Sequence, residues 1–513
     1  MLIILPSHLR VSGITTWAVR TVRLLRAAGE RAGLLVHASS NDAVPAFLEP
    51  YVVGVCEDER PIDQLNGRFE HLLPAYMDAL EHVMPTDGRP CVIAPGVPGD
   101  CYGVVAALSQ TYRERLRVVS WLHADNAYDT AVAAHYEPMI HGFVPVSTEL
   151  VSIARSAMPA RATDIHRIPH SVDRIDAPAR PPLRSRPIRL VYTGRVVVEQ
   201  KRSDSFPPLV ARLRELEVPF DLRIVGDGPH LEALQAAIGT TPEVKLIGAV
   251  PPTAVSTHLA WADAWVLPSS YEGQSVAMLE AMAHGCVPIV TRIKSGIAGV
   301  IEHRVRGMIA DADENSAPDI VGAGLADQIA DAANNVDLDS MSTECQRFIA
   351  EHHDPAAYTA AVLELIARVR LAAPRPWPTD RPAAFTSGAT AGGTTPSDAA
   401  TRLDELLTSL AGHRIAIYGA GRHTIDLAAV LARSPAQIVG ILDDHADHTA
   451  DQPEPTLWGW PILKPSCAHQ LGATDVVLSS WLHEQSLWNK RSTLEQQGLR
   501  VHRLYTPETI SAT

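Results

Sequence analysis

The sequence predicts an α/β protein of three units, each a mostly parallel sheet flanked by helices. Short apolar runs rich in Val, Ile and Leu alternate with stretches of helical periodicity along most of the 513 residues, the pattern of buried parallel strands joined by crossover helices. The length exceeds what one core supports and fits three domains of about 150 residues each. Two stretches break the alternation. The segment Asp173 to Pro187, rich in Pro and Arg, reads as a hinge, and residues 373–400, rich in Pro, Gly, Ser and Thr with little to bury, read as a flexible linker. The expected domains are therefore 1–172, 188–372 and 401–513.

In the first unit Met1 to Leu5 is a buried strand, and the loop Pro6 to Gly13 leads to a helix from about Thr16 to Ala28. Leu34 to His37, Cys91 to Ala94 and Val118 to Leu122 are further strands; Leu72 to Val83 and Gly103 to Arg115 are helices; Phe143 to Val146 and Ile165 to Pro169 read as the last strands. The second unit repeats the pattern with strands at Ile188 to Thr193, Asp221 to Val225, Val244 to Ile247, Ala264 to Leu267 and Val287 to Val290, then a helix from Tyr358 to Leu371.

Hydrophobic residues at 46% and charged residues at 20% describe a soluble globular chain, and a formal net charge of −14 argues against nucleic acid as the main partner. Six cysteines, at 56, 91, 101, 286, 345 and 467, show no CxxC or metal spacing, which suits a reducing compartment. The apolar start MLIILPSH is too short for a signal peptide, and no stretch approaches ~20 apolar residues, so a cytoplasmic protein is expected.

The richest stretch is Tyr271 to Gly285, YEGQSVAMLEAMAHG, in which seven residues separate Glu272 from Glu280. Ser275 is an expected N-cap, Val276 to Ala283 are mostly good helix formers, and Gly285 suits the position after the C-cap, giving a helix of about ten residues. The start of that helix, at Gln274, Ser275 and Val276, offers unpaired N–H groups and partial positive charge, a place for phosphate. At about 1.5 Å per residue, Glu280 lies roughly 7 Å along the axis from Ser275, within reach of hydroxyls beyond a diphosphate, while Glu272 meets groups on the other side. Such a device suits a nucleotide sugar. Two solvated glutamates at this spacing would look the same, so the context must decide.

Arg195 and Lys201, in GRVVVEQKR, follow a strand end and supply two cations able to offset the charge of a diphosphate leaving group without a metal. Gly226 in RIVGDGP, and Gly13 in Ser12-Gly13-Ile14, let backbone approach a ligand. His123 and Asp125 follow a strand end, where ligands sit in open parallel sheets; His123 is either structural, a hydrogen-bonding group for a sugar hydroxyl, or a base. The pairs Asp311/Asp313 and Asp337/Asp339 stand in polar, loop-like contexts and are not expected to bind a catalytic metal. Arg20, Arg23 and Arg26 recur every three residues on the first helix, as a solvated face or as one that meets an anionic lipid headgroup.

GRVVVEQKR, RIVGDGP, VKLIG and YEGQSVAMLEAMAHGCVPIV, in this order and at these intervals, resemble the second domain of glycosyltransferase family 4, retaining enzymes of GT-B architecture. Gly13 with Ile14-Thr15-Thr16, His123 and the segment IPHSVD ending at Asp173 are similar to its first domain, so the resemblance covers residues 1 to about 370. It implies two Rossmann-like domains facing a cleft, the first on the acceptor side and the second on the donor side. It implies that Arg195 and Lys201 bind the donor diphosphate, Glu280 the ribose and Glu272 the transferred sugar. Gly226, Gly248, Gln274, Ser275 and Val276 would line the donor site, Gly13 would approach the phosphates, and His123 would contact the sugar near the reacting carbon. No cofactor and no protein nucleophile are implied: the leaving phosphate helps deprotonate the acceptor hydroxyl on the same face. The expected activity is retaining transfer of a sugar from a nucleotide-diphosphate sugar to a glycan, lipid-linked or small-molecule acceptor, in glycan, glycolipid or surface polysaccharide synthesis, with peripheral contact at the inner membrane face. Gln274-Ser275 stands where the family usually has Phe-Gly, and His170-Ser171 where it has Asn-Gly, departures that bear on donor and acceptor identity. A nucleotide-sugar epimerase or hydrolase, and a non-catalytic nucleotide-sugar-binding scaffold, are the other activities open to this architecture.

In the third unit Arg414 to Thr424 reads as a strand, a glycine turn and a helix start, and the strand Ile438 to Leu442 ends at Asp443-Asp444. This is nearly a dinucleotide fingerprint, with Thr424 in place of its third glycine. Gly419, Gly421 and Asp443 are the ligand candidates there, and Ser479 to Glu484, after the strand Asp475 to Leu478, are candidates for the same cleft. The unit is similar to small Rossmann-like domains found beside sugar-modifying enzymes; a binding or docking role is expected.

Overall fold

The computed structural model describes residues 1–5, 12–38, 44–57, 70–96, 101–175, 186–239, 241–294, 296–379, 399–419, 424, 427–444, 456–457, 460–479 and 484–505. The chain forms two compact units, Met1–Phe385 and Thr386–Thr513.

The first unit contains two six-stranded parallel sheets. One is built from β1 (Leu2–Leu5), β2 (Gly33–Ala38), β3 (Val52–Glu57), β4 (Cys91–Pro95), β5 (Leu116–Leu122) and β6 (Ile140–Pro145), in the order β3-β2-β1-β4-β5-β6. The other uses β7 (Ile188–Thr193), β8 (Phe220–Val225), β9 (Val244–Gly248), β10 (Ala264–Leu267), β11 (Val287–Thr291) and β12 (Met308–Ala310), in the order β12-β11-β10-β7-β8-β9. In both, order reverses beside the first strand, and crevices at the carboxyl ends of the strands open there. This is the GT-B pair of Rossmann-like domains expected from the sequence. β1 shows why its residues form a central strand: Leu2 and Ile4 enter the core on one face, and Ile3 and Leu5 enter the core on the other.

Four elements differ from the sequence reading. β3 and β12 are edge strands; the residues of β3 are largely half-exposed and β12 is only three residues long, so neither shows the continuous apolar run of a buried strand. Ile165 to Pro169 is not a strand: Phe143 bridges Ile165, His166 N–H donates to Phe143 O at 2.8 Å, and Pro169, with no N–H, ends the run. The helix Pro355–Leu371, expected in the second domain from its place in the chain, packs on the first. Tyr358, Val362, Leu365, Ile366 and Val369 share a core with Ile3, Trp17 and Val22, Trp17 Nε1–H donates to Tyr358 Oη at 2.9 Å, and Arg370 pairs with Glu30 at 2.6 Å. Trp377, expected in the linker, is 2% exposed in the first domain's other core layer, and its N–H donates to Ser109 Oγ at 2.8 Å.

The chain thus passes between the two domains twice. The crossings lie side by side: Val172 N–H donates to His353 O at 3.1 Å, and His353 Nδ1 donates to His170 O at 2.6 Å.

The second unit holds a six-stranded sheet, β13 (Arg414–Tyr418), β14 (Gln437–Leu442), β15 (Thr456–Leu457), β16 (Trp460–Leu463), β17 (Asp475–Leu478) and β18 (Arg500–His502), in the order β15-β16-β14-β13-β17-β18. Its pairs are parallel except β15 with β16. Asp475, fully buried at the start of β17, accepts from His502, His413, Arg500 and Thr474, and these bonds hold its carboxyl far below the usual range against the opposing effect of burial.

Candidate functional site

Beyond β10 the chain turns through Glu272 into the helix Val276–Ala283. Ser275 caps it from extended backbone, its Oγ accepting from Met278 N–H at 3.4 Å. The helix is eight residues long, not ten, because His284 serves as its C-cap and Gly285 follows with φ +73°. A Cβ built on Gly13 would lie 3.6 Å from Val276 Cγ2, so the start of the helix Gly13–Ala27 faces the start of Val276–Ala283. Ser12 caps the former, in a reciprocal pair with Thr15. Two helix N-termini from two domains converge here, and their aligned N–H dipoles favour an anion between them.

Around this point the predicted residues are joined in pairs. Lys201 Nζ donates to Glu272 Oε1, which also accepts from Ser269 Oγ at 2.7 Å. Arg195 Nη2 donates to Gln200 Oε1 at 2.7 Å, and Gln200 in turn donates to Tyr271 O at 3.3 Å. Glu280 accepts from Arg20 Nη2 at 2.8 Å. Gly226, at φ +142°, closes the ends of β7 and β8: a Cβ there would fall 1.8 Å from Gly194 O. Its N–H donates to Gly248 O at 2.8 Å. Gly226 therefore shapes the strand ends by a close backbone approach, and Gly248 is its hydrogen-bond partner.

His123 stands just past β5, 7% exposed, against the edge of Trp17 at 4.4 Å. The loop of the other domain presses on it, since a Cβ on Gly273 would lie 1.6 Å from His123 O. Burial lowers the His123 imidazole to about 3, and its two ring nitrogens have no hydrogen-bond partner among the described residues. His170 stacks on it, and burial, then the neighbouring His123, Arg20 and His353, hold His170 well below its ordinary value. Gln274 Oε1 accepts from His170 N–H at 2.7 Å, so the two departures from the family pattern touch. Beside them lies a cavity of 190 Å³ lined in part by Ser147, Glu149, Arg167, Gln274, Gly296 and His353.

Sequence reasoning did not single out Gln200, His353 or Asp129, and it did not foresee the contact of Arg20 with Glu280. Asp129, near the start of the helix Ala127–His135, has its carboxyl raised to about 7 by burial. The arginine row of the first helix was read as a solvated or lipid-facing face. Arg23 and Arg26 are exposed, Arg23 pairing with Asp173 at 2.6 Å and Arg26 donating to the carbonyls of Ala32 and Pro50, whereas Arg20 departs from that reading and is buried at the domain boundary. Arg20 and Arg23 meet the inter-domain segment at Ser171 and Asp173, contacts between residues distant in sequence that helical spacing alone does not reveal. Asp337 caps the helix Leu338–His352, and Asp313 accepts from Asn315 N–H and Ser316 Oγ–H. Among the described residues no group of three His, Cys, Asp or Glu is placed to hold a metal ion, and no helix is long and apolar enough to cross a membrane.

In the second unit Gly419 follows β13 at φ +118°, its N–H donating to Leu442 O at 2.8 Å. Thr424 closes the turn: its hydroxyl meets Gly419 O at 2.5 Å and Ser479 Oγ at 2.8 Å. Asp443 N–H donates to Leu463 O, while Asp444 accepts from Tyr418 Oη–H at 2.6 Å and pairs with Lys490 at 2.6 Å. Glu484, buried, accepts from the N–H groups of Leu504 and Tyr505 and fastens the chain after β18. Gly421, and residues 480–483 of the second candidate stretch, lie outside the described residues.

Residues 187–336 match the family described as "Glycosyl transferases group 1". Over 100 residues the chain is 39% identical to the amylovoran biosynthesis glycosyltransferase AmsK of Erwinia amylovora, covering 18% of this chain and 24% of that one. Over 118 residues it is 30% identical to the sulfoquinovosyl transferase SQD2 of Arabidopsis thaliana, covering 23% and 22%. The chain spans about a quarter of the length of these curated relatives. Among solved structures it is similar to Anabaena HepE in complex with UDP and glucose, with a TM-score of 0.56 at 16% identity over 71% of this chain and 99% of that one.

Proposed function

With residues 187–336 placed among the group 1 glycosyl transferases, we propose that the chain is a retaining glycosyltransferase that moves a hexose from a UDP-sugar to an acceptor hydroxyl in polysaccharide or glycolipid synthesis. The observation that carries this reading is the convergence of the helix starts at Gly13 and Val276, with Arg195, Lys201 and the two glutamates around them. The UDP and glucose named with HepE, the amylovoran biosynthesis named for AmsK and the sulfoquinovosyl transfer named for SQD2 support the donor and the setting.

In this reading the diphosphate lies between the two helix N-termini, where their N–H groups and the Arg195 guanidinium offset its charge. Lys201 exchanges Glu272 for a phosphate oxygen, which frees the Glu272 carboxylate to accept from hydroxyls of the transferred sugar. Glu280 accepts from the ribose. His123, neutral because it is buried, offers a ring nitrogen to the sugar without adding a positive charge. As the bond from sugar to phosphate breaks, its electron pair leaves with the UDP. The acceptor hydroxyl attacks from the same face and gives its proton to the departing phosphate oxygen. Residues 401–513 serve as a binding or docking module.

The test is a thermal-shift panel of UDP-, GDP- and ADP-sugars, followed by product analysis with UDP-glucose and a panel of lipid-linked and oligosaccharide acceptors. A shift for UDP-sugars above the others, and a new α-linked glycoside from an α-configured donor, are expected. No shift with any nucleotide sugar would remove the donor-site reading, and release of free sugar without a glycoside under every acceptor would favour a hydrolase.

A further inference from the structure

Arg20 has no part in the chemistry above, yet it is the first-domain residue that grips Glu280. Its guanidinium is held by hydrogen bonds at both terminal nitrogens. Nη1 donates to Ser171 O at 2.8 Å, Nη2 donates to Glu280 Oε1 at 2.8 Å, and Nε lies 3.7 Å from Asp173 Oδ2. Asp173 is held in turn by Arg23 at 2.6 Å. The helix beneath is anchored as well: the Thr21 hydroxyl lies 2.8 Å from Tyr358 Oη, which accepts from Trp17 Nε1–H. The Arg20 side chain is 10% exposed and that of Glu280 is 25% exposed. The planar fork of an arginine aims one N–H pair once the other is bound, which an ammonium on a flexible stem does not do.

We propose that Arg20 is a positioning residue for nucleotide recognition: it holds Glu280 by Oε1 so that the carboxylate presents Oε2 to the ribose hydroxyls of the donor. The inference rests on the assignment of Glu280 to the ribose. It follows that the ribose is read only when the two domains are together, because the orienting group and the reading group come from different domains.

The experiment measures binding of UDP and of 2′,3′-dideoxy-UDP to the full chain by calorimetry, for the wild type, Arg20→Met and Arg20→Lys. A hydrogen bond to a charged group corresponds to about a 10–100-fold preference for UDP in the wild type. In Arg20→Met the preference is expected to shrink to within about threefold, through weaker UDP binding with little change for the dideoxy nucleotide, whose diphosphate contacts remain. Arg20→Lys, which keeps the charge and loses the fork, is expected to lie between. An Arg20→Met protein that retains the wild-type preference, or that loses both ligands by the same factor, overturns the role of Arg20. A wild type that does not discriminate overturns the ribose assignment of Glu280 and the inference with it, so the two failures are distinguishable. Circular dichroism spectra and melting curves of both variants establish that they fold.

Discussion

The imidazoles of His123 and His170 lie parallel at 5° with centroids 5.3 Å apart, two neutral rings stacked at the boundary of the two domains. Neither is adjacent to the other in sequence; β5 and the inter-domain segment bring them together. Their burial sets a pH dependence. An unfolded histidine takes a proton near pH 6.5, whereas folded His123 does so at about 3, His141 at about 3 and His353 at about 4. Below about pH 6.5 the unfolded state therefore binds more protons than the folded one, and stability falls as the pH falls. The contribution is fully present above that pH and eroded between about 6.5 and 3. Urea midpoints are expected to drop from about pH 6.5 to pH 4.5, less steeply than the histidines alone would give because Asp129, raised to about 7 by burial, opposes them, and with a still shallower drop in His123→Phe. An unchanged slope in that variant would contradict the assignment.

The pairing of Lys201 with Glu272 separates stability from activity. Both side chains are nearly buried, 14% and 8% exposed. Lys201→Met leaves a buried carboxylate without its cation and is expected to cost about 3 kcal/mol of stability. Lys201→Met/Glu272→Gln removes both charges and is expected to recover most of that loss. Sugar transfer is expected to fall at least about 100-fold in both variants, because each lacks the Lys201 ammonium and leaves the diphosphate only Arg195 as a side-chain cation. Melting curves beside initial rates check the two effects independently.

Two glycines of the donor-side domain are expected to respond differently to alanine. At Gly226 a methyl group would collide with the Gly194 carbonyl, a backbone atom that cannot move aside. Gly226→Ala is expected to cost more than about 3 kcal/mol or to prevent folding. At Gly248, φ +78° with nothing within 4 Å of the added carbon, only backbone strain remains, about 1–2 kcal/mol. Denaturant midpoints of the two variants measure the contrast.

Burial of Trp377 predicts where the chain can be cut. A chain ending at residue 385 keeps the tryptophan in the core of the first domain and is expected to bind UDP with the affinity of the full chain. One ending at residue 372 loses about 3–5 kcal/mol of packing, the range for deleting a buried tryptophan. A comparison of the two melting temperatures, with UDP titrations on each, tests this.

The strands of both large sheets were legible wherever an apolar run was buried on both faces, as at Leu2 to Leu5 or Ala264 to Leu267. β3 and β12 were not, since β3 is largely half-exposed and β12 is only three residues long. The Ser275 cap and Gly285 were readable because capping chemistry is local. The pairs Arg20 with Glu280, and His170 with Gln274, join residues more than 100 positions apart, and no local pattern encodes them. Position in the chain also misled at Pro355–Leu371, whose apolar face suits either sheet; packing, not order, decided which one it joined.

Because the two inter-domain crossings are hydrogen-bonded to each other at Val172, His170 and His353, they act mechanically as one pin. Sliding the domains apart or exchanging their partners requires breaking these bonds. The same joint lies at the boundary across which Gly13 faces Val276. If the proposed anion site lies between those helix starts, its geometry is set in part by hydrogen bonds of the chain crossings.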